Sequence, residues 1–203
     1  GSITASSFAS KVDFTTGTGP YSIAIGDLDG DGKPDLAIAN AGSYTVSVFR
    51  NTSSSGSITA SSFASKVDFT TGTVPYSIAI GDLDGDGKPD LVLANEASNT
   101  VSVFRNTSAS GSITASSFAS KMDFTTGGGP FSVAIGDVDG DGKRDLVVAN
   151  SGSNTVSVLR NRSSSGSITA SSFASKVDFT TGAFTISVAI GDLDGDGKPD
   201  LVV

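Results

Sequence analysis

Residues 27–35 read Asp-Leu-Asp-Gly-Asp-Gly-Lys-Pro-Asp, and the chain is built from copies of this stretch and its flanks. The stretch has carboxylates at loop positions 1, 3, 5 and 9 and glycines at positions 4 and 6. A short loop wraps a hard cation in this way. Positions 1, 3 and 5 give side-chain oxygens, position 7 gives its backbone carbonyl, and glycine at position 6 permits the sharp turn. The copies are Asp82–Asp90, Asp137–Asp145 and Asp192–Asp200. The sequence therefore predicts four metal-binding loops.

The charge of each loop favours a bound cation over a solvated turn. Two carboxylates about 5 Å apart repel by roughly 1–3 kcal/mol at effective dielectric constants between about 80 and about 20. The alternative interpretation is a polar Asp-Gly turn that binds nothing, and such a turn would splay apart rather than keep this spacing. Calcium is favoured over magnesium, because magnesium prefers a tight octahedron and keeps its waters whereas calcium accepts a flexible all-oxygen cage.

The loop differs from an EF-hand after its first half. An EF-hand carries a bidentate Glu at position 12, but this position is apolar in every copy: Ile38, Leu93, Val148 and Val203. Proline lies where an exiting helix would begin its regular hydrogen bonding, at Pro34, Pro89 and Pro199. The segment that follows, Leu36-Ala-Ile-Ala-Asn40, has the composition of a strand. We therefore expect a calcium loop between two strands.

Composition excludes several classes of protein. The 203 residues suffice for one sizeable domain and include no Cys, His or Trp, so a disulfide framework and the commonest catalytic base are absent. The formal net charge is −8, and the four loops hold 16 of the 21 acidic residues, so four calcium ions would bring the chain near neutrality. Lys and Arg are few and unclustered, which disfavours nucleic-acid binding. No apolar run approaches the ~20 residues that span a bilayer.

An internal repeat determines the domain organisation. The segment Gly-Ser-Ile-Thr-Ala-Ser-Ser-Phe-Ala-Ser-Lys begins at Gly1, Gly56, Gly111 and Gly166, a spacing of 55 residues. Periods of this size are typical of propellers, solenoids or arrays. We divide one repeat domain, residues 1–203, into units 1–55, 56–110, 111–165 and 166–203. No signal peptide is present, but the chain opens on a repeat boundary, which is compatible with an upstream segment that has been removed.

Each unit is predicted to contain four short strands and no helix of useful length. Period-2 patterning between Gly, Pro, Asn and Ser positions places them at Phe8–Thr15, Tyr21–Ile25, Leu36–Asn40 and Thr45–Arg50. Four strands per repeat predict an all-β fold, a β-propeller of four-stranded antiparallel blades. From centre to rim we expect the order Tyr21–Ile25, Leu36–Asn40, Thr45–Arg50 and Phe8–Thr15. The last unit lacks a copy of Thr45–Arg50 and is incomplete, so either the chain was truncated or a second chain supplies the strand.

Residues 22–40, Ser-Ile-Ala-Ile-Gly-Asp-Leu-Asp-Gly-Asp-Gly-Lys-Pro-Asp-Leu-Ala-Ile-Ala-Asn, resemble the FG-GAP/VCBS repeat. That repeat is the blade of the integrin α-subunit head and of many secreted proteins. The resemblance implies a propeller with one Ca²⁺ per blade, usually seven blades, located outside the cell and used in adhesion or glycan binding. It implies as ligands the loop carboxylates Asp27, Asp29, Asp31, Asp35, Asp82, Asp84, Asp86, Asp90, Asp137, Asp139, Asp141, Asp145, Asp192, Asp194, Asp196 and Asp200. The carbonyls of Lys33, Lys88, Lys143 and Lys198 complete the set.

A ligand face is expected opposite the calcium loops. Connections in a propeller alternate between faces, so the calcium loops and the Ser-rich connections after the third strands should share one face. The copies differ most on the other face, in turns such as Thr18–Tyr21 and Ala41–Tyr44. We hypothesise that a glycan or protein partner binds there, with four aromatic residues as stacking groups: Tyr21, Tyr44, Tyr76 and Phe131. The alternative is that these turns differ because nothing constrains them.

The Ser-rich connections also match the N-glycosylation acceptor pattern, at Asn51, Asn106 and Asn161. The pattern predicts regularly spaced sugars on exposed loops if the host glycosylates.

The sequence is compatible with three kinds of function to different degrees. The first is a non-enzymatic, secreted or cell-surface calcium-binding module for adhesion or for glycan or protein recognition. The second is a structural repeat protein that self-associates chain to chain into a ring, filament or coat, natural or designed. The third, an enzyme, has little support, because the recurring pair Lys11 and Asp13 lies on one face of a single strand and is typical of a solvated rim pair.

Overall fold

The computed structural model describes residues 1–203, and in it each loop stretch joins the first two strands of a sheet. The first sheet, blade 1, contains β1 (Pro20–Gly26), β2 (Asp35–Asn40), β3 (Thr45–Phe49) and β4 (Val67–Thr70). Blade 2 contains β5 (Pro75–Gly81), β6 (Asp90–Asn95), β7 (Thr100–Phe104) and β8 (Met122–Thr125). Blade 3 contains β9 (Pro130–Gly136), β10 (Asp145–Asn150), β11 (Thr155–Leu159) and β12 (Val177–Thr180). A half-blade contains β13 (Ala189–Gly191) and β14 (Asp200–Val202).

The strands of every sheet lie side by side in chain order and pair antiparallel, which confirms the predicted all-β, propeller-type architecture. Blades 1, 2 and 3 each have four strands and the half-blade has two. The helical structure in the chain consists of one turn of 3₁₀ helix at Ala5–Ser7. No helix has the length and apolar character to cross a membrane.

The first strand of each blade is innermost, as the small apolar residues of Tyr21–Ile25 predicted. β1, β5, β9 and β13 contact one another in series, so the blades are arranged around a common axis. Glycine permits this close approach. A Cβ added to Gly26 would lie 3.2 Å from Cγ2 of Ile80, one added to Gly81 would lie 3.3 Å from Ile135, and one added to Gly136 would lie 2.9 Å from Cδ1 of Ile190. The second strands, β2, β6 and β10, are almost wholly buried, as expected for an apolar strand covered on both faces.

Adjacent blades pack face to face through alternating residues of their strands. The face that each blade turns to the next one we call its back, and the face turned to the previous one its front. The back of blade 1 contributes Ala37, Ala39, Val46 and Val48, and the front of blade 2 contributes Ile78, Leu91, Leu93 and Phe104. Burial of a side chain such as Leu91 stabilises the fold by about 1.5–3 kcal/mol. The cores therefore lie between the sheets, and each blade depends on its neighbours.

The rim strand of each blade comes from the following repeat, which corrects the placement of Phe8–Thr15. β4 of blade 1 is Val67–Thr70, a copy of the end of the Phe8–Thr15 segment displaced by one repeat, and it pairs with β3. Phe8–Thr15 itself forms no strand, because no third strand precedes it for pairing. Phe14 nevertheless packs edge-on against Phe49 and Phe63, as Phe69 does against Phe104 and Phe118. Phe14 therefore packs on blade 1 in the way that Phe69 of the rim strand β4 packs on blade 2.

The fourth unit is incomplete, as predicted from the missing copy of Thr45–Arg50. The copy of Tyr21–Ile25 in this unit, residues 186–190, forms a strand only at Ala189–Gly191. With no third strand beside β14, the half-blade lacks the pairing that extends β1 and β2 in blade 1.

A chain of polar groups ties the second, third and rim strands of each blade together. Asn40 donates from Nδ2 to Ser47 Oγ (2.9 Å), and the Ser47 hydroxyl donates to Asp68 Oδ1 (2.6 Å). Lys66 forms an ion pair with the other oxygen of Asp68. Burial raises the pKa of Asp68, but the bonds from Lys66 and Ser47 outweigh it and leave the pKa below 3.8. The rim pair expected for Lys11 and Asp13 is fully solvated at the first copy, and the copies in blades 1–3 are partly exposed and also bond to a buried serine of the third strand.

Replacement of Tyr44 by Asn is expected to stabilise the chain by about 1 kcal/mol. Tyr44 has a left-handed φ of 55°, as do its counterparts Asn99 and Asn154, and Asn tolerates this region better than Tyr. Asn99 Oδ1 also accepts the N–H of Gly129 in the next blade (2.8 Å), a bond worth about 1 kcal/mol that Tyr44 has no acceptor to make. Urea denaturation of Tyr44→Asn measures the gain, and Asn99→Tyr should show a loss of similar size. Equal stability of Tyr44→Asn and the parent chain would contradict this explanation.

Candidate functional site

Each acidic loop is a tight bend between the innermost strand and the second strand of its blade. In the first loop Gly30 and Gly32 have φ values of 66° and 85°, and the glycines of the other three loops repeat this geometry. Open space surrounds the position where a Cβ would lie on either residue. Glycine is therefore required here by backbone conformation and not by crowding.

The bends bring their carboxylates together as the sequence predicted. In the first loop ligand atoms of Asp27, Asp29 and Asp35 lie within 4.8 Å of one another. The other three clusters are Asp82, Asp84 and Asp86; Asp137, Asp139 and Asp145; and Asp192, Asp194 and Asp200. Hard cations such as calcium prefer oxygen cages of this kind. The remaining predicted ligands lie in the same bends, where Asp31 Oδ1 accepts the N–H of Lys33 (2.9 Å).

The first aspartate of each loop closes the bend through backbone hydrogen bonds. Asp27 Oδ1 accepts from the N–H of Asp31 (3.1 Å) and Asp27 Oδ2 from the N–H of Gly32 (2.9 Å). Asp82 and Asp137 make the same bonds in their loops. These bonds orient the carboxylate inward, so the loop conformation and the position of the cation ligand are fixed together.

The third position of the first two loops holds a buried carboxylate oxygen with no hydrogen-bond partner. Asp29 is 2% exposed, and its Oδ2 atom is unpartnered, as is Oδ2 of Asp84. Burial raises the pKa of Asp29, and the neighbouring Asp31 carboxylate raises it further. A buried anionic oxygen without a partner is unfavourable, and a cation in the centre of the cluster would remove that cost. The donor set therefore fits a calcium ion.

The aspartate at position 9 links the loop to the connection that follows the third strand. Asp35 Oδ2 accepts the N–H of Leu28 (2.9 Å) and Asp35 Oδ1 accepts the N–H of Asn51 (2.7 Å). Asp90 and Asp145 make the same pair of bonds, whereas Asp200 keeps only the first of them, from Leu193. Each of these residues thus orders the backbone of its bend in addition to lying near the cation position.

An arginine beside each complete site was not anticipated from the sequence. The Arg50 guanidinium lies 3.9 Å from carboxylate oxygens of Asp29 and Asp31. Arg105 occupies the same position in the second loop, and Arg160 lies 2.8 Å from Asp139 in the third. These arginines offset part of the loop charge. The signal was present in the sequence, since Arg follows the third strand in each of the first three repeats.

Each of the first two loops is clamped by the connection from the next blade. Asn106 donates from Nδ2 to the Leu28 carbonyl (2.8 Å), and the Ser108 hydroxyl donates to the same oxygen (2.8 Å). The Ser110 hydroxyl reaches Gly30 O, and the Gly111 N–H donates to Asp29 O (3.0 Å). Asn161, Ser163 and Ser165 hold the second loop in the same way. These contacts confirm that the loops and the Ser-rich connections share one face.

The same contacts correct the glycosylation hypothesis, which placed the acceptor asparagines on exposed loops. Asn51, Asn106 and Asn161 are buried. Asn106 Nδ2 donates to Pro89 O as well as to Leu28 O, and its Oδ1 accepts from the Ser108 N–H. A sugar on this nitrogen would displace both bonds and the packing around them. The Asn-x-Ser pattern is explained here as a structural clamp.

The four loops differ in how far the rest of the chain buries and clamps them. The second-position residue of the loop is buried in the first two loops, with Leu28 only 1% exposed, whereas Leu193 in the fourth is 70% exposed. The third and fourth loops also lack the clamping bonds that reach Leu28 and Leu83. Because a preordered loop loses less conformational entropy when it binds an ion, the first two sites are expected to bind calcium more tightly.

The stability of the metal-free chain is expected to rise as the pH falls from about 7 to about 4. Burial is the main cause that raises the pKa of Asp90 from 3.8 to about 7, with smaller contributions from Asp84 and Asp86. Because the folded pKa lies above the unfolded value, the folded chain takes up the proton in this window and is stabilised by it. The opposite shifts of Asp68 and Asp178 act only near and below 3.8. Thermal melts in chelator across this range measure the effect.

Calcium should reverse that trend, because protons compete with the ion for the same carboxylates. A metal-free chain whose melting temperature falls steadily from about pH 7 to about pH 5 would contradict the burial of Asp90 as the controlling feature.

The face opposite the calcium loops carries an aromatic cluster. Ring centroids of Tyr21 and Tyr76 lie 4.4 Å apart, and those of Tyr76 and Phe131 lie 4.7 Å apart. The three rings come from the innermost strands of successive blades and pack on one another at the axis. Three of the four predicted stacking groups therefore stack on each other, and Tyr21, which is more than half exposed, offers the most accessible ring. Tyr44 lies in a turn outside the cluster.

Comparisons with known proteins agree with this architecture. A family model described as FG-GAP-like repeat matches residues 4–38, 27–93, 82–148 and 137–203. Among curated proteins, no relative matches the chain.

Two solved structures have a similar fold. One is a crystal structure of BBS1N in complex with ARL6DN soaked with mercury, with a TM-score of 0.52, 16% identity, and coverage of 88% of this chain and 46% of the other. The same complex soaked with lead gives a TM-score of 0.53, 16% identity, and coverage of 93% and 54%. This chain therefore spans about half the length of the chains in those two structures.

Proposed function

Because the chain belongs to the FG-GAP-like repeat family, we propose that it is a calcium-stabilised, non-enzymatic propeller module that recognises a protein or a glycan outside the cell. The observation that supports the calcium role most strongly is the buried Oδ2 atom of Asp29 and of Asp84, which accepts no hydrogen bond, on residues that belong to clusters of carboxylates. Extracellular calcium modules have dissociation constants of about 10⁻⁴–10⁻³ M, so an open four-carboxylate bend suits a calcium-rich medium.

The ligands that we propose for each ion are the carboxylates at positions 1, 3, 5 and 9 of the loop and the carbonyl at position 7. In the first loop the carboxylates of Asp27, Asp29 and Asp35 lie in one cluster. The ion supplies charge compensation to oxygens that otherwise repel one another. Its role is to stabilise the bend between the first two strands of each blade.

The partner site that we propose is the face opposite the calcium loops. Turn residues vary there from blade to blade, whereas the calcium face repeats almost unchanged. Tyr21, Tyr44 and Glu96 give this face an exposed aromatic ring, a second ring and a carboxylate. The solved complex of BBS1N with ARL6DN supports a protein as the partner of a chain with this fold.

A binding screen with a matched pair of variants tests the proposed face. Labelled chain in about 5 mM calcium, a concentration above typical dissociation constants for such sites, is applied to a glycan array and to an array of extracellular protein domains. We expect a subset of spots to bind, and the double variant Tyr44→Ala and Glu96→Ala to lose that binding. The control variant Ser53→Ala alters the calcium face only and should bind as the parent does. Binding that survives the double variant but not the control would place the partner on the calcium face instead.

A further inference from the structure

One connection on the calcium face bonds to two acidic loops at once. Residues 106–111, which we call the bridge, follow the third strand of blade 2 and make hydrogen bonds to the first loop, 27–35, and to the second loop, 82–90. Both loops have, besides their cluster of carboxylates, a buried carboxylate oxygen that accepts no hydrogen bond, on Asp29 and on Asp84. A cation would satisfy that oxygen in either loop, so the bridge joins two candidate calcium sites.

The second loop holds the bridge through loop positions 7, 8 and 9. Lys88, at position 7, donates from Nζ to the Ser108 carbonyl (2.8 Å). The Pro89 carbonyl accepts from Asn106 Nδ2 (2.9 Å), and Asp90 Oδ1 accepts the Asn106 N–H (2.8 Å). Positions 7 and 9 also belong to the proposed calcium ligands, so an ion that fixes them fixes the anchor of the bridge as well.

The bridge in turn holds the carbonyls at positions 2, 3 and 4 of the first loop. The donors, in that order, are Asn106 Nδ2 together with the Ser108 hydroxyl (2.8 Å each), the Gly111 N–H (3.0 Å) and the Ser110 hydroxyl (3.1 Å). Position 3 is Asp29, the residue with the unpartnered carboxylate oxygen. Its backbone and that of both neighbours are therefore held by the bridge, which limits the conformations of the loop before an ion arrives.

The same arrangement recurs at the junction of blades 2 and 3. Asn161 Nδ2 donates to Leu83 O of the second loop and to Arg144 O of the third (2.7 Å each). The Ser163 hydroxyl donates to Leu83 O, and the Ser163 carbonyl accepts from Lys143 Nζ (2.8 Å). Two internal junctions thus have one pattern, in which a connection is anchored on the loop of its own blade and bonds to the loop of the preceding blade.

We propose that the bridge couples two calcium sites, so that an ion in the second loop strengthens binding in the first loop, and the reverse. The proposal rests on the calcium role inferred above. An ion in the second loop fixes Lys88 and Asp90, which hold the bridge, and a fixed bridge leaves the first loop less conformational freedom to lose when it binds its own ion. The coupling is reciprocal, because linked binding free energies change by the same amount in both directions.

Asn106 and Ser108 are positioning residues in this scheme. They bond to the carbonyl of Leu28 at loop position 2, which is not among the proposed ligands. The sign of the coupling separates their effect from direct electrostatics. Two calcium ions repel each other, so charge alone makes the second ion bind more weakly. A bridge that orders both loops makes it bind more tightly, by about tenfold for a typical coupling between sites.

Calcium titrations of the 203-residue chain, followed by NMR, measure the two sites separately. The Gly32 and Gly87 N–H groups each donate to the first aspartate of their own loop, so each amide signal reports on one cluster. A coupling of about tenfold between sites of similar affinity moves each midpoint about threefold. We therefore expect the first-loop midpoint to rise about threefold in Asp84→Asn, and the second-loop midpoint to rise by the same factor in Asp29→Asn.

Variants of the bridge test whether it carries the coupling. Ser108→Ala with Ser110→Ala removes both hydroxyl bonds to the first loop and keeps the anchor on the second loop. In this background Asp84→Asn should move the first-loop midpoint by about 1.5-fold or less. The matched control is Ser53→Ala with Ser55→Ala in the first connection, whose hydroxyls donate to no loop carbonyl, and it should keep the full shift.

Lys88→Met cuts the bridge at its other end and should reduce the shift in the same way. The Lys88 side chain is exposed, so its replacement leaves the blades intact. Amide signals of both loops that do not respond to calcium would contradict the calcium role itself, and this proposal with it. Loops that bind calcium with midpoints independent of each other would overturn the proposal alone. Equal shifts in the parent and in both bridge variants would also overturn it, because the coupling would then run through charge and not through the bridge.

Discussion

Calcium at about 100 times its dissociation constant is expected to raise the free energy of unfolding by about 2.7 kcal/mol for each site that it occupies. The reason is that the folded chain gathers the carboxylates of each loop, with ligand atoms within 4.8 Å of one another, whereas the unfolded chain holds them apart. Urea denaturation at increasing calcium concentrations measures the gain. Chelation should lower the midpoint and expose the chain to protease.

Variants of the third loop position show whether the gain comes from the acidic bends. Asp29→Asn together with Asp84→Asn removes the two buried charges whose Oδ2 atoms are unpartnered. We expect this double variant to lose most of the calcium-dependent stabilisation while its metal-free form becomes no less stable, because the amide carries no buried charge. Asp13→Asn, on the exposed segment before blade 1, serves as the control and should respond to calcium as the parent does. A calcium response that is equal in all three chains would refute the assignment.

Replacement of Asn106 by Ala is expected to destabilise the chain by about 3 kcal/mol, one of the largest effects of a single polar substitution. Asn106 is fully buried, donates to carbonyls of two blades and accepts the N–H of Ser108. Its removal leaves the Pro89 carbonyl and the Ser108 N–H without partners in a site closed to water, at a cost of about 1 kcal/mol or more each, and leaves the Leu28 carbonyl with the Ser108 hydroxyl alone. Equilibrium urea denaturation in calcium measures the loss.

The chain contains its own control for this substitution. Asn51 occupies the same position in the first repeat but donates to one carbonyl only, Pro34 O. Asn51→Ala is therefore expected to cost about 1 kcal/mol less than Asn106→Ala, and the difference reports the bond between blades. Asn161→Ala should resemble Asn106→Ala, since Asn161 Nδ2 also spans two blades. Equal losses for Asn51→Ala and Asn106→Ala would show that the clamp on Leu28 contributes nothing.

The sequence was sufficient for features that depend on local pattern. Alternation of apolar residues located the first three strands of each blade to within a residue or two, and the Asp and Gly spacing located the bends between them. The fully apolar segment Leu36–Asn40 correctly indicated a strand buried on both faces. The repeat period then fixed the arrangement, because four strands and one bend recur in every unit.

Features that depend on contacts between repeats could not be predicted from the sequence. The segment Phe8–Thr15 has the pattern of a strand, but a rim strand forms only where a third strand lies beside it, and that strand belongs to the preceding repeat. The Asn106 side chain was interpreted as a glycosylation acceptor because its partner, Leu28, lies 78 residues away. The position of Arg50 depends on folding in the same way, since only the folded bend brings Asp29 and Asp31 beside it.

The number of calcium ions that the chain binds, measured by native mass spectrometry across a calcium titration, tests the central claim most directly. We expect four ions, one for each acidic bend, with two bound first and lost from the Asp29→Asn and Asp84→Asn double variant. A chain that remains free of calcium at millimolar concentrations, or that binds as many ions when those two carboxylates are replaced, would contradict the claim that these bends are its metal sites.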